Sequence, residues 1–180
     1  MKTDKQSDKH EGVVNGPGKQ RLTILSPEVY KKNGGFITLA MNEFLVSYLL
    51  RVYQAFGGDL IQAIVLGAIA HHNVALLSRQ QAFDGMQIRN IIKKMGEEAI
   101  LSPCNAFSIS QSTGIPRETV RRKIASLVAK NWIKRDTKGQ VFITDLPAIE
   151  FEQFNFELVN EFLNAARQIL DRCHKDLSGE

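Results

Sequence analysis

Hydrophobic positions along this 180-residue chain recur mostly at helical spacing. Between Phe36 and Phe56, at about 100° per residue, Met41, Leu45, Tyr48, Leu49, Val52 and Phe56 form one stripe. Leu39, Phe44, Val46, Leu50 and Tyr53 widen it until Glu43, Ser47, Arg51 and Gln54 keep only a narrow polar face. A helix this apolar around its circumference needs cover on several sides. In so small a chain a dimer interface is the simpler source of that cover, and burial within the monomer is the alternative. The same helices also suit a pocket for a small-molecule effector. Gly57-Gly58 stops the first helix, and Asp59 is placed to cap a second apolar helix over 60–77. A third is expected over 84–98, with Asp84 as cap and Met86, Ile88, Ile91, Ile92 and Met95 on its apolar side. Ser102-Pro103 breaks that pattern.

Further on the elements shorten. Residues 105–113 read as a short helix capped by Asn105, Gly114-Ile115-Pro116 as a turn, and 116–130 as a longer helix that opens on proline. Asn131 stands where a helix end often takes a left-handed residue. Two short strands, Ile133–Arg135 and Gln140–Thr144, flank a four-residue loop over 136–139 and predict a hairpin. Residues 155–172 give an amphipathic helix with Leu158, Val159, Phe162, Leu163, Ala166, Ile169 and Leu170 on one stripe. Residues 1–35 are polar, turn-rich and basic, and a disordered tail ending at Gly34-Gly35 is expected. The expected class is therefore mostly α: a three-helix core with a two-stranded hairpin over 101–146, and extra N- and C-terminal helices. The apolar region 36–100 and the segment 147–180 would supply dimerisation, with a frayed end on the latter.

Charge singles out one part of this layout. The whole chain carries +4, yet residues 101–146 alone hold eight basic and three acidic side chains. Positive charge concentrated so locally is the footprint of a face that binds an anionic partner. Within the helix over 116–130, Val120, Ile124, Leu127 and Val128 share the core-facing side. Glu118, Arg122, Ala125, Ser126 and Ala129 fall opposite, with Arg117 and Arg121 on one flank and Thr119, Lys123 and Lys130 on the other. Small residues let a large partner approach, and arginine can read guanine in the major groove with two hydrogen bonds.

Short helix, glycine turn, basic helix and hairpin, with Ile109, Gly114, Ile115, Pro116, Thr119, Val120, Ile124, Leu127 and Ile133 at the matching places, resemble the winged helix-turn-helix of bacterial transcriptional regulators. The stretch PRETVRRKI is similar to the recognition helix of catabolite-activator-type regulators, and the general layout to the MarR and GntR classes. The resemblance spans about 105–146. It implies a sequence-specific regulator acting as a homodimer on double-stranded DNA, with Arg117, Glu118 and Arg122 reading bases. Arg121 beside them is counted with that group. Lys134, Arg135 and Lys138 of the hairpin suit phosphates, as do Ser110, Thr119 and Lys123. Two departures stand out: the segment 78–104 is longer than the usual link, and Asn131 replaces a glycine. The alternative is a winged-helix interaction or assembly module that binds nucleic acid non-specifically.

Other chemistry finds little footing. Cys104 and Cys173 have no metal or redox spacing and read as free thiols of a reducing cytosol. His71-His72 diverge by about 100° on a helix and do not chelate one ion together. No phosphate-binding glycine loop or nucleophile elbow is present. No catalysis, cofactor or metal is expected, and no membrane partner. The expected location is cytoplasmic.

Overall fold

The computed structural model describes residues 25–79 and 101–178. Most of them are helical, and they include one two-stranded antiparallel sheet. The helix expected over 84–98 lies outside the described residues.

Helix α1 spans Pro27–Ala55. Ser26 caps it, its hydroxyl accepting from the Val29 N–H at 3.2 Å, and proline opens its first turn. This corrects the expectation that the chain stays disordered to residue 35, because Gly34-Gly35 lie inside the helix. Each glycine costs roughly 1 kcal/mol against alanine, but the turn is held from outside. Asn33 and Ile37 are buried against the C-terminal helix α6, Glu152–Ser178, and Arg172 Nε donates to Asn33 Oδ1 at 3.4 Å. The helix α6 starts earlier and ends later than the expected 155–172.

α1 and α6 run antiparallel as a two-helix arm. Phe44 meets Phe162 with ring centroids 5.6 Å apart, and Arg51 bridges Glu157 and Glu161 at the arm's edge. At the base of the arm Phe56, Trp132 and Phe151 pack ring against ring. Trp132 Nε1 donates to Glu150 at 2.6 Å, at the end of the short helix α5, Leu146–Glu150, which the pattern did not predict.

The core lies beyond that joint. Gly57 and Gly58, both at positive φ, turn the chain into α2, Leu60–Arg79, where Asp59 accepts from the Gln62 N–H as expected of a cap. Val65, Leu66 and Ile69 of α2 pack on Ile109 of α3 (Ala106–Thr113) and on Val120, Ile124 and Leu127 of α4 (Arg117–Ala129). Ile133 of β1 (Ile133–Arg135) and Val141 and Ile143 of β2 (Val141–Ile143) close that core, paired with Ile133 opposite Ile143. Cys104 lies along the other edge of β2, its carbonyl accepting from the Val141 N–H at 2.8 Å.

The stripe expected on the first helix divides. Tyr48, Val52 and Phe56 face an apolar groove of about 370 Å³ shared with α2, α5 and α6, whereas Leu39, Leu45, Val46, Leu49 and Tyr53 are exposed.

Candidate nucleic-acid interface

Local rules build the helix pair that carries the basic residues. Asn105 caps α3 by accepting from the Phe107 and Ser108 N–H groups, while the Ser108 hydroxyl accepts from the Asn105 N–H. Gly114, at φ 72°, ends α3 in the left-handed region that suits glycine. The Ser110 hydroxyl donates to the Ile115 carbonyl at 2.7 Å and ties the turn together. Its proton is therefore committed within the turn, which weakens the expected phosphate role of Ser110.

α4 presents three sides. Val120, Ile124 and Leu127 are buried. Glu118, Arg122, Ala125 and Ala129 are all exposed on the opposite side, and Arg122 makes no ion pair among the described residues. The third side is a flank that faces the hairpin. There Arg117 and Arg121 join Arg135 and Lys138 around a groove of about 320 Å³ that also reaches Asn105 and Phe107 at the start of α3. Among the described residues four cations and no acid line it, although Glu118 reaches Arg121 at 3.8 Å from outside.

The expected base-reading set therefore separates. Glu118 and Arg122 face out, while Arg117 and Arg121 sit over the groove with the hairpin cations. Of the expected phosphate contacts, Arg135 and Lys138 belong to the groove. Lys134 alternates to the other face of β1. Thr119 and Lys123 lie on the flank toward α2, and Lys123 is ion-paired with Asp59 at the α2 cap. Burial pushes the Asp59 carboxyl up. The hydrogen bonds from Lys123 and the Gln62 N–H, with the charges of Lys123 and Lys130, outweigh that and hold it below its ordinary value.

Phe107 was missed as a site residue. It is exposed, and the Arg117 guanidinium lies 5.8 Å from its ring centre. The signal was present: two residues from buried Ile109 on a helix is about 200° away, so Phe107 faces outward. Cys104 offers no nucleophile, since burial pushes its thiol up to about 11, against a smaller opposing effect of the Asn73 hydrogen bond.

No protein-family model, curated protein or solved structure matches this chain.

Proposed function

We propose that the chain is a sequence-specific DNA-binding transcriptional regulator in which residues 101–146, together with α2, act as a winged helix-turn-helix. The observation that carries this reading is the exposed side of α4. Glu118 and Arg122 stand there among small alanines, beside a groove of four cations. A helix about 20 Å long with such a side fits a major groove about 12 Å wide. In this reading Glu118 and Arg122 meet base edges. Arg117, Arg121, Arg135 and Lys138 hold the adjoining phosphates, which position the protein without reading sequence. The protein acts as a homodimer, with two copies of α4 set about 34–36 Å apart, or a multiple of that, on one face of the duplex.

Selection of bound fragments from random DNA tests the reading directly, and a two-fold-related site is the expected result. On that site Arg122→Ala should cost about 1–3 kcal/mol and relax selectivity, while Lys138→Ala should weaken selected and scrambled sites alike. It should also lower the magnitude of the salt slope by about 1. Binding that is salt-sensitive but unselective would favour the interaction-module alternative instead.

Lys123 should behave differently from Lys138. Because Asp59 already holds its ammonium, Lys123→Ala should leave the salt slope unchanged and lower stability by about 1 kcal/mol or less. A depressed carboxyl contributes stability that is present above its unfolded value and lost as pH falls through the folded one. The stability difference between wild type and Lys123→Ala should therefore shrink below about pH 4. Urea titrations at neutral and acid pH check this, and a changed salt slope would return Lys123 to the phosphate-binding set.

A further inference from the structure

The groove between α4 and the hairpin has two chemically different parts. Arg117, Arg121, Arg135 and Lys138 are exposed and ring its mouth. Ile124 and Val141 are almost fully buried and lie at its bottom, with the Phe107 ring as an apolar wall.

The cations are held but not neutralised. The Arg117 guanidinium lies over the Phe107 ring, 5.8 Å from its centre. Arg135 lies along the hairpin turn, its Nη2 3.3 Å from where a Cβ on residue 139 would stand, and glycine there leaves it room. Among the described residues Arg117, Arg135 and Lys138 make no ion pair, and Arg121 has only the exposed Glu118. Arg117 and Arg121, one helical turn apart, repel each other. An anion drawn in among them relieves that repulsion.

Phosphate alone does not use the whole groove. A DNA duplex keeps its bases stacked inside and offers the protein its backbone here. That backbone satisfies the four cations but leaves the Phe107 ring, 55% exposed, and the apolar bottom without a partner. A ligand that fills both parts is anionic at one end, flat and apolar at the other.

We infer that the groove seats one unstacked nucleotide, its base against Phe107 and its phosphates among the four cations. Every base has a face that stacks on an aromatic ring, and a basic track beside such a ring holds the attached phosphates. The volume, about 320 Å³, lies at the lower end of the range for small-ligand sites, about 300–1,000 Å³. A free nucleoside triphosphate and an unpaired position of a strand present the same chemistry. The inference deepens the proposed function, because a groove holding a nucleotide is closed to the duplex backbone. The binding itself needs no DNA site and stands without that reading.

The test is calorimetric titration of the full chain at low salt with ATP, inorganic triphosphate and a 5′-phosphorylated oligothymidylate. ATP and triphosphate share a phosphate chain, and only ATP carries a base. Phe107→Ala should weaken ATP at least about 5-fold, the lower end of the value of one stacked base, while changing triphosphate less than about 2-fold. Phe107→Trp should restore ATP, and Arg121→Ala should weaken both ligands. Circular dichroism should show unchanged helix content, since Phe107 is exposed. Saturation-transfer spectra of the wild type need no variant: protein aromatic protons should reach the adenine protons more strongly than the ribose protons. Phe107-dependent binding of ATP makes a free nucleotide the occupant. The same dependence for the oligothymidylate alone makes it an unpaired position of a strand. Equal losses of ATP and triphosphate in Phe107→Ala would mean that the ring only steadies Arg117, and would overturn the inference. So would a Phe107→Ala protein that binds ATP and the oligothymidylate as the wild type does, or a wild type that binds neither. Nucleotide binding without a selected DNA site would sink only the regulator reading; a selected site without Phe107-dependent nucleotide binding would sink only this inference.

Discussion

Trp132→Ala is expected to destabilise the chain by about 3–5 kcal/mol, the range for emptying a large aromatic site. The indole is buried at the joint between the core and the arm, against Phe56 and Phe151 with ring centroids 5.6 and 5.1 Å away. Its N–H is bonded to Glu150, and the Lys130 ammonium lies 4.5 Å from its ring centre. Removing the ring opens a cavity where α1, α5 and α6 meet the hairpin. Trp132→Phe keeps much of the packing but loses the Glu150 bond, so a smaller loss of about 1–2 kcal/mol is expected. Urea unfolding of both variants followed by circular dichroism measures the difference. If alanine costs under about 1 kcal/mol, the joint is held by something other than this aromatic cluster.

Asn73→Ala should cost about 3 kcal/mol or more. Asn73 is fully buried on α2 and its amide bonds three backbone groups on two separate segments, Ser102 and strand β2. Nδ2 donates to the Ser102 carbonyl at 2.7 Å and to the Val141 carbonyl at 3.3 Å, and Oδ1 accepts from the Ile143 N–H at 2.7 Å. Its own carbonyl accepts from the Ser102 N–H. Alanine leaves the Ile143 donor and two acceptors without these partners in the interior, at about 1–3 kcal/mol for each group left unsatisfied. Asn73→Leu matches the volume but not the bonds, so it should rescue little. Denaturant titration gives the stability. Hydrogen exchange gives the site, because the Ile143 amide should lose its protection first. An alanine variant within about 1 kcal/mol of wild type would mean that the hairpin is anchored by its β-pairing and core contacts alone.

Neither effect was visible in the linear pattern, and the reason is distance along the chain. The partners of Asn73 lie 29 to 70 positions away. In sequence it is one polar residue on an apolar helix, with nothing nearby to bond. The pairing of Lys123 with Asp59 spans 64 positions. A wheel drawn on α4 therefore places Lys123 on a flank without showing that a carboxylate from another helix occupies its charge. The separation of Arg117 and Arg121 from Arg122 has the same origin. All three lie on or beside the outer half of the wheel, and only the position of the hairpin turns two of them into a groove.

The elements that read correctly are those whose causes are local. Asn105 and Asp59 cap their helices through N–H groups two or three residues ahead. Gly57-Gly58 and Gly114 take the positive φ that breaks a helix, and Asn131 does so at φ 57° without glycine. The hairpin follows from its two short strands and the turn residues between them. Where neighbours within a few positions supply the hydrogen bonds, composition and spacing determine the element, and the mostly helical class with one small sheet follows.

Gly34-Gly35 show where that reasoning fails. Local propensity argues for a break, yet α1 runs through both because α6 backs its first turns from more than a hundred residues away. The sequence by itself determined the caps, turns, helix periods and the clustering of positive charge. Tertiary structure alone decided that α1 continues through Gly34-Gly35, which half of its apolar surface is covered, and which cations share one groove. Helix periodicity records that a side is apolar, but the chain's own packing decides whether that side meets the core or is left to another molecule.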